Sequence, residues 1–423
     1  MTSKKQSSQI HFAILTSFGG KAGGGHLHRV QKIKTMLQKY LVSCDKNVDF
    51  VMLNSEEKGQ KNWTSLSEFR AIIAKYAFII IDSYEVKSKH FKALLKRQKR
   101  QNSNKVLILD DGARFLDFVY KRFAKKMCAK NPQKIVDFTN ALRGIFVLNG
   151  GLSSENLLRG FANKLAKKTA KKINNFRTKK CAINATPSRL DFGLDFAILS
   201  DFLTNNVFYG SKFFIKNADF DFAKNKTKKR LIKPHIKDML ITFGACDKQN
   251  YTQQISNMLH KIILQDKNLA SILDSSICLH IILGGFYPHI FKPKSSVSNQ
   301  RIKITYKIYQ NIPSKDFARV MRECDIAISA GGQSLYELAQ SALPFIIIPT
   351  ASNQLAQSSA FAKKTGAFLL KTHTNAKNHK IFHQNLAKAL SRLSQKKRAK
   401  ISQNLAKLEL GKSASDIAHR FLG

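Results

Sequence analysis

The chain has 423 residues, more than one hydrophobic core usually supports, so its length predicts two domains of roughly 200 residues each. Its formal net charge is +45, and 43% of its residues are hydrophobic, which excludes wholesale disorder. The basic residues are spread along the whole chain without helix-turn-helix or zinc-finger spacing or interleaved aromatics, so we expect no specific nucleic-acid role.

The longest apolar runs, at 77–81 and 345–348, are too short to cross a bilayer. Residues 10–15 are followed by glycines rather than by a cleavage site, and they indicate a first β-strand instead of a signal peptide. The six cysteines are scattered without a C-x-x-C pair, a pattern typical of reduced thiols. The sequence therefore predicts a cytoplasmic protein with no membrane partner, no metal and no cofactor.

Strands and helices alternate along the first half of the chain. Residues 27–41 have apolar side chains at helical spacing, which predicts an amphipathic helix. The Val/Ile/Leu runs are continuous, as in strands that are buried on both faces of a parallel sheet. The predicted strands cover 10–16, 48–53, 77–82, 105–111 and 145–149.

The second half repeats this alternation. Its predicted strands cover 239–243, 278–283, 302–306, 325–329 and 345–349, and its predicted helices 252–264, 315–322, 334–340 and 353–364. We therefore predict an α/β fold with two Rossmann-like domains whose mostly parallel sheets face a central cleft. The predicted parts are an N-terminal domain at 1–222 with basic insertions at about 112–144 and 151–205, a linker at 223–236, and a C-terminal domain at 237–423.

A glycine-rich segment at 18–29 follows the first strand. It lacks the Lys-Ser/Thr ending of a P-loop and the spacing of G-x-G-x-x-G, but it brings Gly25 and His26 to the start of a helix. Backbone there can approach a ligand closely, and an imidazole titrates near neutral pH. The alternative is a glycine-rich turn with an incidental surface histidine.

A second loop, at 329–337, links a strand to a helix through small residues. Free N–H groups at this turn suit a diphosphate, and Ser334 adds a hydroxyl donor. Glu337 lies one turn further on, where its carboxylate suits ribose hydroxyls. The alternative is a capping turn in which Glu337 interacts with the helix dipole, worth ~0.5 kcal/mol.

The pattern Gly-x-Gly-His-x-x-Arg at 23–29 resembles the UDP-2,4-diacetamido-2,4,6-trideoxy-β-L-altropyranose hydrolases of pseudaminic acid biosynthesis, a pathway that serves flagellin glycosylation. Further segments resemble landmarks of that family in the same order. They are 81–84, 109–111, 148–149, 243–247, 317–321, 326–337 and 353–354.

This resemblance implies a GT-B-like architecture in which the C-terminal domain holds UDP and the N-terminal domain holds the sugar. It also implies metal-independent hydrolysis with inversion, in which His26 is the general base for water. UDP-sugar is the expected partner, and the expected state is a monomer. The substrate-binding candidates are Gly25, Arg29, Tyr84, Asp110, Asn149, Gly244, Ile308, Gly332, Ser334, Glu337, Asn353 and Gln354.

The segment 210–220 departs from the family pattern, because Phe213 and Asn217 stand where the family favours Tyr and Arg. Two alternatives stay open. One is a GT-B glycosyltransferase with a UDP-amino sugar donor. The other is a non-enzymatic, basic nucleic-acid-binding protein, which steeply salt-dependent binding would reveal.

Overall fold

A computed structural model of the chain describes residues 9–17, 25–55, 63–101, 104–110, 114–127, 138, 141–142, 144–149, 202–220, 230–294, 302–371 and 376–422. The chain divides into two compact units. The first comprises Met1–Phe18, Arg29–Ile215 and Gly411–Gly423, and the second comprises Gly19–His28 and Lys216–Leu410. Most of the predicted insertion at 151–205, and residues 223–229 of the predicted linker, lie outside the described residues.

The first unit contains a parallel sheet, whose described strands follow the order β2-β1-β3-β4-β5-β6. These strands are β1 (Ile10–Thr16), β2 (Val48–Asn54), β3 (Phe78–Asp82), β4 (Lys105–Leu109), β5 (Ile145–Asn149) and β6 (Val207–Tyr209). The helices between them are α1 (Gly25–Val42), α2 (Leu66–Lys75), α3 (Ser88–Gln101) and α4 (Arg114–Met127).

Apolar side chains cover this sheet on both faces. Phe12 and Ile14 of β1 pack in one cluster with Ile33 and Leu37 of α1, whereas Leu15 of β1 packs in another cluster. Because side chains alternate between the faces of a strand, both sets must be apolar when both faces are buried. This burial explains the continuous hydrophobic runs of the sequence.

The C-terminal helix α11 (Ala414–Leu422) packs on the first sheet, although the predicted second domain runs to residue 423. The ring of Phe421 lies 6.3 Å from that of Phe12 and 5.7 Å from that of Phe146, measured between centroids. The N–H of Gly411 also donates to the carbonyl of Ser211 over 2.9 Å. These long-range contacts place the end of the chain in the first unit.

The second unit contains another parallel sheet, with described strands in the order β12-β11-β10-β7-β8-β9. Its strands are β7 (Ile236–Thr242), β8 (Leu273–Leu283), β9 (Lys303–Gln310), β10 (Ile326–Ala330), β11 (Phe345–Ile348) and β12 (Phe368–Leu369). Its helices are α5 (Tyr251–Gln265), α6 (Ser314–Glu323), α7 (Ser334–Gln340), α8 (Leu355–Thr365), α9 (Ala376–Ser391) and α10 (Gln395–Ala406).

These two sheets confirm the predicted fold class, α/β with two Rossmann-like domains. The predicted strands agree with observed ones to within a few residues, but β6 and β12 were not predicted because three and two residues are too few to show a period. No helix in the described ranges is both long and apolar enough to span a membrane.

Candidate functional site

The start of α1 carries the first predicted site residues. Gly25 and His26 are its first two residues, and only 5% of His26 is exposed. The glycines at 19–24 lie outside the described residues. His26 is therefore a buried residue of the first helical turn, and the alternative of a surface histidine is excluded.

Arg29, one turn further along α1, pairs with a carboxylate at the end of β3. Its Nε donates to Oδ2 of Asp82 over 2.8 Å, and its Nη2 donates to Oδ1 of the same carboxylate. Asp82 is fully buried, and a buried carboxylate needs a hydrogen-bonded cation to pair with its charge. Arg29 thus fixes the first turns of α1 against β3 instead of capping the helix.

Three serine hydroxyls form a chain where the first three strands end. Ser17 Oγ is hydrogen-bonded to Ser83 Oγ and, over 2.6 Å, to Ser55 Oγ. Each serine directly follows the last residue of β1, β2 or β3, the edge where parallel α/β sheets bind ligands. The sequence did not lead us to predict this row of serines, although their shared place directly after a strand could have indicated it.

Asp110 and Tyr84 occupy the same edge, but with different partners. The Asp110 carboxylate accepts the N–H groups of Arg114 and Phe115 over 2.8 and 2.7 Å, so it caps α4. The guanidinium of Arg114 lies 5.1 Å from the Tyr84 ring centroid. Tyr84 is 47% exposed, and the cation–π contact with Arg114 holds its ring as an exposed aromatic surface. Asn149 ends β5 opposite Tyr209 of β6.

In the second unit, two glutamines hold the turn between β10 and α7. Gln354 Oε1 accepts the N–H of Gly331 over 3.1 Å and that of Thr350 over 2.9 Å. Gln357 Nε2 donates to the carbonyls of Gly331 and Gly332, each over 2.9 Å. Gln354 therefore organises the loops after β10 and β11, and Gln357, which sequence reasoning missed, completes this clamp.

Gly331 is required at this turn by space. A Cβ atom there would lie 2.2 Å from Ser358 Oγ and 3.0 Å from Gln354 Cβ, whereas one on Gly332 would meet only Gln354 Nε2, at 3.8 Å. A Cβ essentially never approaches another atom as closely as 2.2 Å. The sequence Gly331-Gly332 therefore combines one glycine fixed by packing with one that has open space beside it.

Ser334 and Glu337 lie on the short helix that follows. Both are half-buried at the start of α7, whose Leu335, Tyr336 and Leu338 are fully buried and anchor it. The side chain of the N-cap residue Gln333 makes no capping hydrogen bond to α7. Asn353 is exposed in the adjacent 3-10 turn Ser352–Gln354.

The loop after β7 forms a further turn at this edge. Gly244 has φ +83°, a conformation that favours glycine, and the Ala245 carbonyl accepts the Phe286 N–H over 2.9 Å. The Asp247 carboxylate accepts the N–H groups of Tyr251 and Thr252 and caps α5, while burial raises its pKa. Gly244 thus belongs to a rigid turn.

Three further positions considered in the sequence differ in their surroundings. Ile308 lies in the edge strand β9 and is 45% exposed. In the segment that departs from the family pattern, the Asn217 carbonyl accepts from Gln340 Nε2 over 3.0 Å and its Oδ1 accepts the Asp219 N–H over 3.1 Å. Phe213 is buried in the core of the first unit. Phe213 and Asn217 are thus held by packing and by backbone contacts.

A match to a protein family covers most of the second unit and the C-terminal helix. Residues 243–421 match the glycosyltransferase family 28 C-terminal domain. This stretch contains the clamped Gly331-Gly332 turn, Glu337 and the loop that begins at Gly244.

Two curated relatives share parts of the chain. A Helicobacter pylori protein, pseudaminic acid cytidylyltransferase and UDP-2,4-diacetamido-2,4,6-trideoxy-β-L-altropyranose hydrolase, is 33% identical over 132 residues, which are 31% of this chain and 20% of that protein. An uncharacterized protein of Methanocaldococcus jannaschii is 23% identical over 168 residues, 40% of this chain and 31% of the relative. The chain thus matches less than a third of the length of either relative.

Solved structures resemble the chain over nearly its whole length. MurG of Acinetobacter baumannii is 14% identical with a TM-score of 0.47, covering 97% of this chain and 99% of that one. The UDP-GlcNAc 2-epimerase of Neisseria meningitidis bound to UDP-GlcNAc is 12% identical with a TM-score of 0.47, covering 98% and 99%.

Proposed function

We propose that this protein is an enzyme that hydrolyses a UDP-linked diacetamido-trideoxy sugar of the pseudaminic acid pathway and releases UDP. The observation that carries the proposal is the clamped turn at Gly331 and Gly332, where Gln354 and Gln357 order the backbone at the carboxyl end of β10. Ligands of open α/β sheets bind at such carboxyl ends. The identity to part of a hydrolase-containing relative supports the choice of substrate.

In this proposal the second unit binds UDP. Ser334 is the first residue of α7, two positions after Gly332, so its hydroxyl suits a phosphate oxygen. Glu337 suits the ribose hydroxyls because a carboxylate accepts two hydrogen bonds. Gly244 and Asn353 belong to neighbouring turns of the same sheet edge. We assign Gln354 to positioning, because its Oε1 is engaged by Gly331 and Thr350.

His26 is proposed as the general base. Water is a poor nucleophile, and a positioned base contributes about 10²–10⁴-fold to its attack. UDP is a good leaving group, so a strong general acid is not required. The bidentate pair of Arg29 with Asp82 fixes the helical turn that carries His26, and such fixation is what general-base geometry needs.

A second candidate is a glycosyltransferase that uses a UDP-amino sugar donor. The match of residues 243–421 to the glycosyltransferase family 28 C-terminal domain favours it. Both candidates share the UDP site and differ only in whether water or an acceptor hydroxyl attacks the anomeric carbon.

The two candidates are separated by incubating the full chain with a panel of UDP-sugars and following UDP release by NMR, with and without alcohol acceptors. The hydrolase predicts release without an acceptor, and only from diacetamido-trideoxy substrates. Release that depends on an acceptor would assign a transferase. Absence of release from every UDP-sugar, together with absence of UDP binding in a titration, would exclude both.

A further inference from the structure

A polar cluster lies inside the second sheet, away from the loops considered so far. It consists of Asp238 on β7 and of Cys278 and His280 on β8, and one ligand atom from each lies within 4.8 Å of the others. Asp238 is directly opposite Cys278 in the strand register, and His280 is two residues further along, so all three point to the same face. Two hydrogen-bonded strands therefore hold the three donors together.

We propose that Asp238, Cys278 and His280 bind a divalent, thiophilic transition-metal ion of the Zn²⁺ class. A thiolate, an imidazole and a carboxylate are the three donor types that zinc uses in proteins, and three protein ligands leave a fourth position for water. A harder ion such as Mg²⁺ prefers oxygen donors only and does not fit this set.

The His280–Asp238 pair requires only a small adjustment. His280 Nε2 lies 2.9 Å from Asp238 Oδ1. Two ligands with bonds of about 2.0–2.1 Å to a tetrahedral zinc stand about 3.3 Å apart, so the pair must open by a few tenths of an ångström. The ion takes the place of the proton shared by this pair, and the thiol proton of Cys278 is also released on binding.

The other imidazole nitrogen already has the partner that a metal-bound histidine needs. His280 Nδ1 lies 3.3 Å from the Tyr309 hydroxyl, and the two rings are nearly parallel, at 8°. A metal-ligating histidine usually donates its second N–H to such an acceptor, which fixes the tautomer and the ring orientation. Tyr309 is therefore a positioning residue for this site.

Burial and charge are compatible with ion entry from one side. The side chains of His280 and Asp238 are 1% and 18% exposed, so the carboxylate marks the open side. Lys233 Nζ lies 3.7 Å from Asp238 Oδ2 and opposes a cation, but it is 46% exposed and lies 3.3 Å from Asp325 Oδ1. Lys233 can thus keep a carboxylate partner when the ion binds.

This site does not depend on the proposed hydrolase activity. Asp238 lies four residues before Thr242, the last residue of β7, which corresponds to about 13 Å along the strand. The ion would therefore lie well below the carboxyl edge. Its expected effect is on the stability of the second unit, because an ion that binds only the folded state stabilises it.

The test is a titration of the chelator-treated full chain with Co²⁺, followed by displacement with Zn²⁺. The expected result is a thiolate-to-cobalt charge-transfer band that saturates at one ion per chain and disappears with Zn²⁺. The band should be lost in Cys278→Ser and retained in the control Cys44→Ser, which changes an exposed thiol. Tyr309→Phe should weaken binding about 10- to 100-fold.

A second measurement uses the unmodified chain, so it does not depend on a variant that folds. Zn²⁺ should protect Cys278, but not the exposed Cys44, from alkylation measured by peptide mass spectrometry, and chelator should remove the protection. A cobalt band that persists in Cys278→Ser, or an unmodified chain with neither band nor protection, overturns the proposal.

Discussion

At the residue scale, the proposed chemistry rests on His26. Replacing His26 with Ala should leave UDP affinity within about twofold and reduce turnover by at least about 10²-fold, because the base acts on water rather than on the nucleotide. Turnover and UDP titration are measured on the same preparation. His28→Ala is the matched control, since His28 lies on the same helix and is exposed, and it should keep full turnover.

Glu337 provides the corresponding test of the UDP site. Glu337→Ala should weaken UDP binding by about 1–3 kcal/mol through the loss of a charged hydrogen bond to the ribose. Calorimetric titration of UDP measures this directly, and Glu337→Gln should recover part of the loss. An unchanged UDP affinity in Glu337→Ala would remove this carboxylate from the site.

The sequence allowed some residue-level predictions and not others. The position of His26 at the start of a helix was predictable, because glycines precede it and an amphipathic pattern follows it within a few positions. The partner of Arg29 was not, since Asp82 lies 53 residues away and only the strand order brings it close. Asp110 was predicted for the sugar pocket, and its capping of α4 depends on a helix start that local patterns did not reveal.

At the scale of the element, the clamped turn after β10 should be sensitive to a single methyl group. Gly331→Ala should lower UDP affinity and cost about 1–3 kcal/mol of stability, because its Cβ meets Ser358 Oγ at 2.2 Å. Gly332→Ala is the control, because its Cβ would meet only Gln354 Nε2, at 3.8 Å. It should therefore cost far less stability. Thermal unfolding and UDP titration measure both effects.

A double variant makes this test sharper. Ser358 Oγ is buried and has no hydrogen-bond partner among the described residues, so Ser358→Ala removes the obstructing atom at little cost. Gly331→Ala with Ser358→Ala should therefore be more stable than the sum of the single changes predicts. Strict additivity would show that the two positions do not interact.

A histidine of α3, His90, is hydrogen-bonded to the backbone just before α2 and predicts an effect of pH on stability. His90 is fully buried, its Nδ1 accepts the Lys87 N–H over 3.0 Å, and its Nε2 bonds to the Thr64 carbonyl over 2.9 Å. Burial, chiefly, holds the pKa of His90 below its ordinary value. Stability from neutral His90 is thus complete above the unfolded pKa of about 6.5 and falls as pH drops through the lower folded value.

Thermal unfolding at several pH values, compared between the wild-type chain and His90→Gln, measures this effect. The wild type should lose more stability than the variant on acidification below pH of about 6.5, because Gln has no proton to gain. Equal slopes in the two proteins would contradict the assignment.

At the scale of the whole molecule, the sequence predicted the two sheets but not where the C-terminal helix packs. Two alternating halves predicted both parallel sheets, because burial on both faces leaves continuous apolar runs. The return of α11 to the first sheet depends on Phe421 meeting Phe12 and Phe146, more than 270 residues away, and no local pattern reports such a contact.

This packing predicts that the C-terminal helix stabilises the first unit. Phe421→Ala should cost about 3–5 kcal/mol, since the ring is fully buried. Val42→Ala, at a residue at the end of α1 in the same unit that is 63% exposed, is the control and should cost far less. Denaturant unfolding followed through Trp63, the single tryptophan, reports on the first unit and measures both changes.

The central claim, that water attacks the anomeric carbon of a UDP-sugar, is tested most directly by hydrolysis in ¹⁸O-labelled water. The label should appear in the C1 hydroxyl of the released sugar, and the released UDP should carry none. Label in the phosphate of the released nucleotide would contradict it, because water would then have attacked phosphorus and the imidazole of His26 would have no place in the proposed reaction.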